Sequence, residues 1–430
     1  MRTLSQIKVQ VIAGLLFLVM VNAAYASEPG LFTKNKGSDD LTYITYKGKI
    51  VDEDTQAPLI FASIAVEGTN IATVSNSEGF FSIKIPKENQ GSQLKISYMG
   101  YESYTTPISS LKEDKNNLIK LKMVSVTLTE ISVFPNNPRL LIDKVLENRN
   151  KNYQDEAVLM TAFYRETIKK RKSYIGLSEA VVEVYKYPYQ NFRPDAVKLF
   201  KGRRSQDVEK MDTLLFKLQG GPYSTLMLDI IKDPYLILAE DVIDNYTYSY
   251  VNITRVDGQL NYVIEFKQHS YVTTPLFYGK FYINVDNFAI SSAFFSLNTE
   301  NRAEASAMFI KKKPLGVSVY PTAANYLVKY TEKDGKWYYS YSRGEVEFKV
   351  NWKKKLLSTN FVTMVEMAVT DWEKAGDKVF KPSDRIKMNV IMNDAVDGFN
   401  DKDFWGELNT IEPEKSIESA IKKISKNLEK

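Results

Sequence analysis

Between Gly48 and Tyr101, apolar and polar residues alternate in short runs that are parted by turn-forming residues. Ala62, Ile64 and Val66 alternate with Ser63, Ala65 and Glu67; Phe81, Ile83 and Ile85 with Ser82 and Lys84; Leu94, Ile96 and Tyr98 with Lys95 and Ser97. A two-residue period puts every second side chain on one face, so each run reads as a strand with one side buried. Ala57-Pro58, Gly68-Thr69-Asn70, Glu78-Gly79 and the stretch from Pro86 to Gly91 break the runs. Strands this closely spaced, with no helical period between them, predict an antiparallel β-sandwich. Ile119, Leu121 and Met123 supply its last strand.

The same stretch carries a resemblance. Gly48-x-x-Val51-Asp52, Pro58-Leu59, Ala62-Ser63-Ile64-x-Val66-x-Gly68-Thr69, Thr73 with Asn76-x-x-Gly79-x-Phe81, and Ile96-Ser97-Tyr98-Met99-Gly100-Tyr101 follow in order. Together they resemble the carboxypeptidase-regulatory-like domain. That family implies a seven-stranded, transthyretin-like sandwich, common in cell-envelope proteins of Bacteroidetes-type bacteria. It implies an accessory module without catalytic residues, not a peptidase.

At 430 residues the chain has room for two or three domains. Its 27 Tyr and 22 Phe favour β structure. The formal charge of +5 is mild and interspersed, which argues against a nucleic-acid footprint. Arg2 and Lys8, the apolar run Val11 to Val21 and Ala24-Tyr25-Ala26 form a secretory leader, cut after Ala26. The alternative is an uncleaved anchor, for which the apolar run is short. There are no cysteines, which excludes disulfides, thiol catalysis, thiolate metal sites and a lipidated cysteine. The expected address is the periplasm or association with the outer membrane, not lipidated and with no transmembrane helix after cleavage.

The expected organisation is a signal peptide over 1–26, a flexible leader over 27–42, the sandwich over 43–125, a linker over 126–137 and a β-rich curved-sheet domain over 138–430. Leu128 to Val133 reads as part of that linker; it also resembles the short extended segment that often follows this sandwich in envelope proteins. Asn137-Pro138 opens a helix, with Asn as cap and Pro at its first position, that ends near Asn150. Lys169 to Lys172 read as a hairpin turn after a strand from Val158, and Tyr174 to Tyr187 as the returning strand. Residues 190–212, with Lys201, Arg203 and Arg204, read as a loop; Thr225 to Ile231 read as a short amphipathic helix. Strands follow at Tyr246–Arg255, Asn261–Gln268, Leu276–Val285, Ala289–Leu297, Tyr326–Glu332, Lys336–Tyr341, Val346–Trp352 and Leu357–Val369. Asp257-Gly258, Asp286-Asn287 and Asp334-Gly335 supply tight turns. The fold class is mainly β: a seven-stranded sandwich followed by a large curved antiparallel sheet or half-barrel with a few helices. This meander resembles the half-barrel of periplasmic lipoprotein carriers. With Phe163-Tyr164-Arg165-Glu166, Gly220-Gly221-Pro222 and the tail Asp403 to Pro413, the mature chain resembles uncharacterised Bacteroidetes envelope proteins described as carboxypeptidase-like regulatory domain-containing. That family implies no activity. A helix from Ile417 to Leu428 closes the chain.

Catalytic constellations are mostly absent. His269 is the one histidine, with no Gly-x-Ser-x-Gly elbow, and reads as structural. Asn393 to Asp403 departs from a calcium loop at Ala395 and Phe404 and reads as an acidic turn, as do Asn76 and Glu78 beside Gly79. No phosphate or dinucleotide motif is present, and no cofactor or metal is expected. Arg165 and Glu166 point to opposite faces of a strand; both are expected to reach water at a strand end, and the alternative is a buried charge with a partner. The densest aromatic group is Trp337, Tyr338, Tyr339, Tyr341 and Trp352. Trp337, Tyr339, Tyr341 and Trp352 are the candidate ligand-contacting residues, set against packing within the sheet. The expected function is a non-enzymatic envelope binding or interaction module for a hydrophobic molecule, a glycan or a protein, with an outer-membrane β-barrel and a periplasmic hydrolase as alternatives.

Overall fold

The computed structural model describes residues 17–21, 43–113, 115–124, 137–206, 215–353, 356–398, 404–415 and 417–419. The expected flexible leader 27–42, the linker up to residue 136, most of the signal peptide and the tail helix beyond 419 lie outside the described residues. Within the expected signal peptide, Phe17–Val21 forms β1.

Seven strands build the N-terminal unit: β2 (Tyr43–Asp52), β3 (Ser63–Val66), β4 (Ala72–Val74), β5 (Phe80–Pro86), β6 (Gln93–Ser97), β7 (Tyr104–Pro107) and β8 (Asn116–Leu121). One sheet runs β5-β2-β8 and the other β4-β3-β6-β7, a sandwich of three strands on four. The alternating apolar residues do meet between them: Ile50, Ile64, Phe81, Ile83, Ile85, Leu94 and Ile96 are buried in one cluster. Each such side chain contributes roughly 1.5–3 kcal/mol of burial. The family motif has local physical causes. Asn76 accepts at Oδ1 from the N–H groups of Glu78 (2.9 Å) and Phe80 (3.0 Å). Gly79 has φ +80°, and a Cβ there would lie 2.7 Å from the Ile50 carbonyl, so only glycine closes this turn. Asp52 accepts from the Thr55 hydroxyl and N–H and from the Tyr101 hydroxyl, and these bonds hold its carboxyl down at about 2.

The second unit begins with α1 (Pro138–Asn152), capped by the Asn137 side chain on the Arg139 N–H. Then come β9 (Val158–Lys170), β10 (Ser173–Lys186), β11 (Ala196–Gln206), β12 (Leu215–Gln219), α2 (Pro222–Leu226), α3 (Glu240–Ile243), β13 (Tyr246–Val256), β14 (Gln259–Gln268), β15 (Phe277–Asn284) and β16 (Ile290–Leu297). The chain continues through α4 (Arg302–Phe309), β17 (Ile310–Lys312), β18 (Val317–Lys333), β19 (Lys336–Trp352), β20 (Thr359–Lys374), α5 (Met392–Ala395) and β21 (Asp397–Gly398). The large sheet runs β13-β14-β15-β16-β18-β19-β20-β9-β10-β11, all antiparallel, with β21 added parallel to β11. It is not closed. β1 lies in a separate small sheet between β12 and β17.

Three of the expected elements need correction. The basic stretch within 190–212 is mostly the strand β11, because acids on β10 answer its charges: Lys198 pairs with Glu183 and Arg203 with Glu179, each at 2.8 Å. The helix expected over Thr225 to Ile231 is α2, which ends at Leu226. After it Leu228, Ile230 and Ile231 are buried, and so is Asp229, which pairs with Lys186 inside instead of facing water as an amphipathic helix would require. Lys336 to Trp352 is one strand rather than two, since Gly344 stays in register between Tyr326 and Val365. The helix α4 had no expected counterpart.

Alternation splits the large sheet into two faces. Ala162, Tyr164, Ile168, Ala180 and Val182 face an inner core with α1, α2 and the segment after α2. Phe163, Val181, Tyr341 and Ala368 face outward and pack against Val74 and Phe61 of the sandwich and Ile411, Trp405 and Leu408 of the tail. Phe61 stacks on Tyr341 at 5.7 Å, and the Gly100 N–H reaches the Arg255 carbonyl at 2.8 Å. Among the described residues no helix is long and apolar enough to cross a membrane.

Candidate functional site

The outer face carries a row of alternating charges in strict register. Arg343 on β19 is paired with Glu366 on β20, Glu366 with Arg165 on β9, Arg165 with Glu179 on β10, and Glu179 with Arg203 on β11. Cross-strand neighbours lie close enough for opposite charges to attract. The contacts follow the register: Arg165 to Glu179 at 2.8 Å and to Glu366 at 3.3 Å, Arg203 to Glu179 at 2.8 Å, and Arg343 to Glu366 at 3.5 Å. The Tyr341 hydroxyl donates to Glu366 at 2.9 Å. Arg165 is only 1% exposed. Burial pulls its guanidinium down, but Glu179 and Glu366 outweigh that and hold it above its ordinary value. Burial pushes Glu179 up, while Arg165 and Arg203 outweigh that and hold its carboxyl low. The expectation that Arg165 and Glu166 reach water at a strand end is therefore overturned. Both are buried: Arg165 is answered by carboxylates on the two adjacent strands, and Glu166 by the hydroxyls of Tyr164 and Ser178.

The tail segment 404–415 lies across this row. Arg165 donates a further bond, 2.7 Å, to the Ile411 carbonyl. Trp405 sits edge-on to Phe163 at 5.5 Å and under the Arg203 guanidinium at 4.9 Å. On its other side the tail meets the edge strand β5 of the sandwich. Asn409 accepts from the Lys84 N–H (2.7 Å) and donates to the Lys84 carbonyl (3.0 Å), as a neighbouring strand would. Thr73 donates to the Thr410 carbonyl at 3.2 Å, Asn76 to the Glu412 carbonyl at 3.1 Å, and Tyr174 to Glu414 at 2.9 Å. Where sandwich, sheet and tail meet, a polar cavity of about 340 Å³ is lined by Lys47, Lys84, Arg165, Glu179, Arg203 and Glu412, among others. Burial raises the Glu412 carboxyl, against the pull of Lys47.

A second ionic cluster lies on the inner face. Lys186, fully buried, contacts Asp229 at 2.7 Å and Asp195 at 3.0 Å. Asp229 also accepts from the hydroxyls of Tyr330 (2.8 Å) and Tyr189 (3.0 Å). Burial pulls Lys186 down, but its two aspartates hold it above its ordinary value. Farther along the same face, where Ser178 rather than Lys186 stands opposite, Glu166 has the hydroxyl partners Tyr164 (2.8 Å) and Ser178; burial pushes its carboxyl up to about 7.

Of the four aromatic candidates, Trp337, Tyr339 and Tyr341 are buried and Trp352 is half-buried. Trp337 and Tyr339 belong to the inner core, with Trp352 packed against it, while Tyr341 faces the sandwich. The strand thus divides the set between its two faces. Trp337 and Tyr341 line a narrow cavity of about 150 Å³ between sandwich and sheet. His269 is half-buried and stacks on Tyr271 at 4.9 Å. Sequence reasoning missed the charge row. The signal was there: Arg165, Glu179 and Glu366 each interrupt an apolar strand. Only the register joins them.

Residues 46–133 match the family model described as the CarboxypepD_reg-like domain, so this chain carries a carboxypeptidase-regulatory-like domain. No curated protein matches the sequence. Among solved structures, a putative outer membrane lipoprotein-sorting protein domain from Vibrio parahaemolyticus is similar over 58% of this chain and 97% of its own, at 8% identity and a TM-score of 0.25. A DUF1329 family protein from Desulfovibrio piger covers the same shares, at 12% identity and a TM-score of 0.23. The Pseudomonas aeruginosa MucA/MucB complex matches over 53% of this chain and 92% of its own, at 11% identity and a TM-score of 0.17. Likeness this faint says nothing of what this chain binds.

Proposed function

We propose that this chain is a non-enzymatic interaction module of the cell envelope, exported by its leader to the periplasm or outer membrane, and that it engages a protein partner at its surface. One observation supports this reading most: the chain itself fills the inner face of its large sheet and covers the outer face over β9, β10, β18, β19 and β20. A carrier of hydrophobic molecules needs an apolar chamber. Here Leu228, Ile230, Ile231, Leu236 and Ile237 are buried in that position, packed with the strands. On the other face the sandwich and tail cover the charge row.

The two alternatives fit less well. A hydrolase would gather carboxyls of raised pKa in one cleft. Glu166 and Glu412 are both raised, yet one is on the inner face and the other by the outer seam. A membrane barrel would close its sheet and present an apolar band to lipid. This sheet is open, and its outer face carries the ionic row.

Native mass spectrometry of the protein purified from cells tests the reading, and the bare chain mass is expected. A stoichiometric lipid or glycan adduct would overturn it. In cell fractionation, release by a high-salt wash is expected. Retention until detergent is added, with heat-modifiable gel mobility, would establish an integral barrel instead.

A further inference from the structure

The tail is held as a bound peptide is held. Its main chain is read by side chains of the two units: Arg165 on the Ile411 carbonyl, Thr73 on the Thr410 carbonyl and Asn76 on the Glu412 carbonyl. Its Asn409 amide completes the free edge of β5 through Lys84. Two of its side chains enter fitted seats. Trp405 lies between Phe163 and Arg203, and Ile411 is 1% exposed in the cluster formed by Val74, Phe163 and Val181. Main-chain bonds along a strand edge together with pockets for spaced side chains make up the general mode of extended-peptide recognition.

We propose that the seam between sandwich and sheet is a peptide-binding groove, occupied in this structure by the chain's own residues 404–414, and that an extended segment of a partner protein with the same chemistry exchanges for it. The chemistry is specific. An aromatic ring stacks under Arg203. A carboxamide four residues later pairs with the Lys84 main chain. A branched apolar residue two further on fills the Ile411 seat, and an acid follows to meet Tyr174. The polar cavity beside Arg165 gives such a segment a wet path into the seam. The inference rests on the surface-module reading above.

The test uses the full chain with a protease recognition sequence replacing residues 399–403, cut after folding. A fluorescently labelled peptide of residues 404–414 is then added and its anisotropy followed. Saturable binding to the cut protein is expected, displaced by unlabelled peptide, with little binding to the uncut protein. A peptide carrying Asn409→Ala is expected to bind at least tenfold more weakly, and one carrying Trp405→Ala likewise. Neither peptide variant touches the folding of the protein. No anisotropy gain after cutting would overturn the proposal, as would equal binding before cutting or indifference to both substitutions. Dimerisation of the uncut protein with no peptide uptake would assign the groove to a second copy and overturn the partner assignment. A lipid adduct in the mass spectrum would sink the surface-module reading while leaving the anisotropy result to stand or fall by itself.

Discussion

The sheet holds one buried ionic cluster on each face, and the two are built for different purposes. On the inner face, Lys186, Asp195 and Asp229 come from a short span of chain and are ringed by Tyr189, Tyr330 and Tyr339. On the outer face, Arg165 draws on β10, β20 and the tail, including a main-chain carbonyl, and borders a polar cavity. The inner cluster fixes one unit internally. The outer one fastens three separate pieces of chain together beside water. A buried charge without its partner is costly, and water within reach lessens the cost.

The comparison is open to attack in order of expected effect. Lys186→Met leaves Asp195 and Asp229 without their cation in a dry interior; a loss of about 3–5 kcal/mol is expected in chemical denaturation. A loss under about 1 kcal/mol would mean that water enters there too. Arg165→Met is expected to cost less, about 2–3 kcal/mol, because the cavity admits water. It should also speed proteolysis between residues 398 and 404, which Lys186→Met leaves unchanged at matched stability. Equal losses for the two would abolish the contrast.

Glu166 sharpens the inner face through pH. Its folded pKa of about 7 stands above the usual 4.5, so the fold keeps a proton that the unfolded chain gives up. Stability therefore declines as pH rises from about 4.5 through about 7. Glu166→Gln should flatten that slope and add about 1–3 kcal/mol at pH 8. An unchanged slope would assign the titration to another group. The smallest effect is expected in the sandwich. Asp52 is lowered from 3.8 to about 2, so the stability it contributes is present above pH 4 and lost as pH falls towards 2. Asp52→Asn should remove that part of the acid sensitivity, read as a smaller drop in thermal midpoint between pH 4 and pH 2.

Much of this architecture was legible in the residues. In the sandwich, every cue agreed: alternation, turn residues and a motif whose Asn76 and Gly79 have direct structural causes. The hairpins at Asp257-Gly258 and Asp334-Gly335 were equally plain, and all four residues have positive φ. The misreadings share one cause. A basic strand looks like a loop until the acids of its neighbour are in place, as Glu183 and Glu179 are for β11. The polar residue Asp229 after α2 looks like the wet side of a helix until its buried partners Lys186, Tyr189 and Tyr330, all distant in sequence, are in place. The charge row was hidden for a different reason. Its members are separated widely in sequence, and only strand register makes them neighbours.

The position of β9 in the middle of the sheet also has a consequence in time. Its hairpin with β10 can form early, but its other neighbour arrives late: Arg165 and Glu366 are 201 residues apart. At synthesis rates of about 5–20 residues per second, the far edge of β9 waits roughly 10–40 s for β20. An apolar edge left open that long invites pairing with another chain. A charge in the centre of the strand discourages such pairing, because a foreign strand seldom brings a carboxylate to the right rung. The arginine that joins the finished assembly at Glu366 stands until then on an unfinished edge, held by Glu179 of its own hairpin.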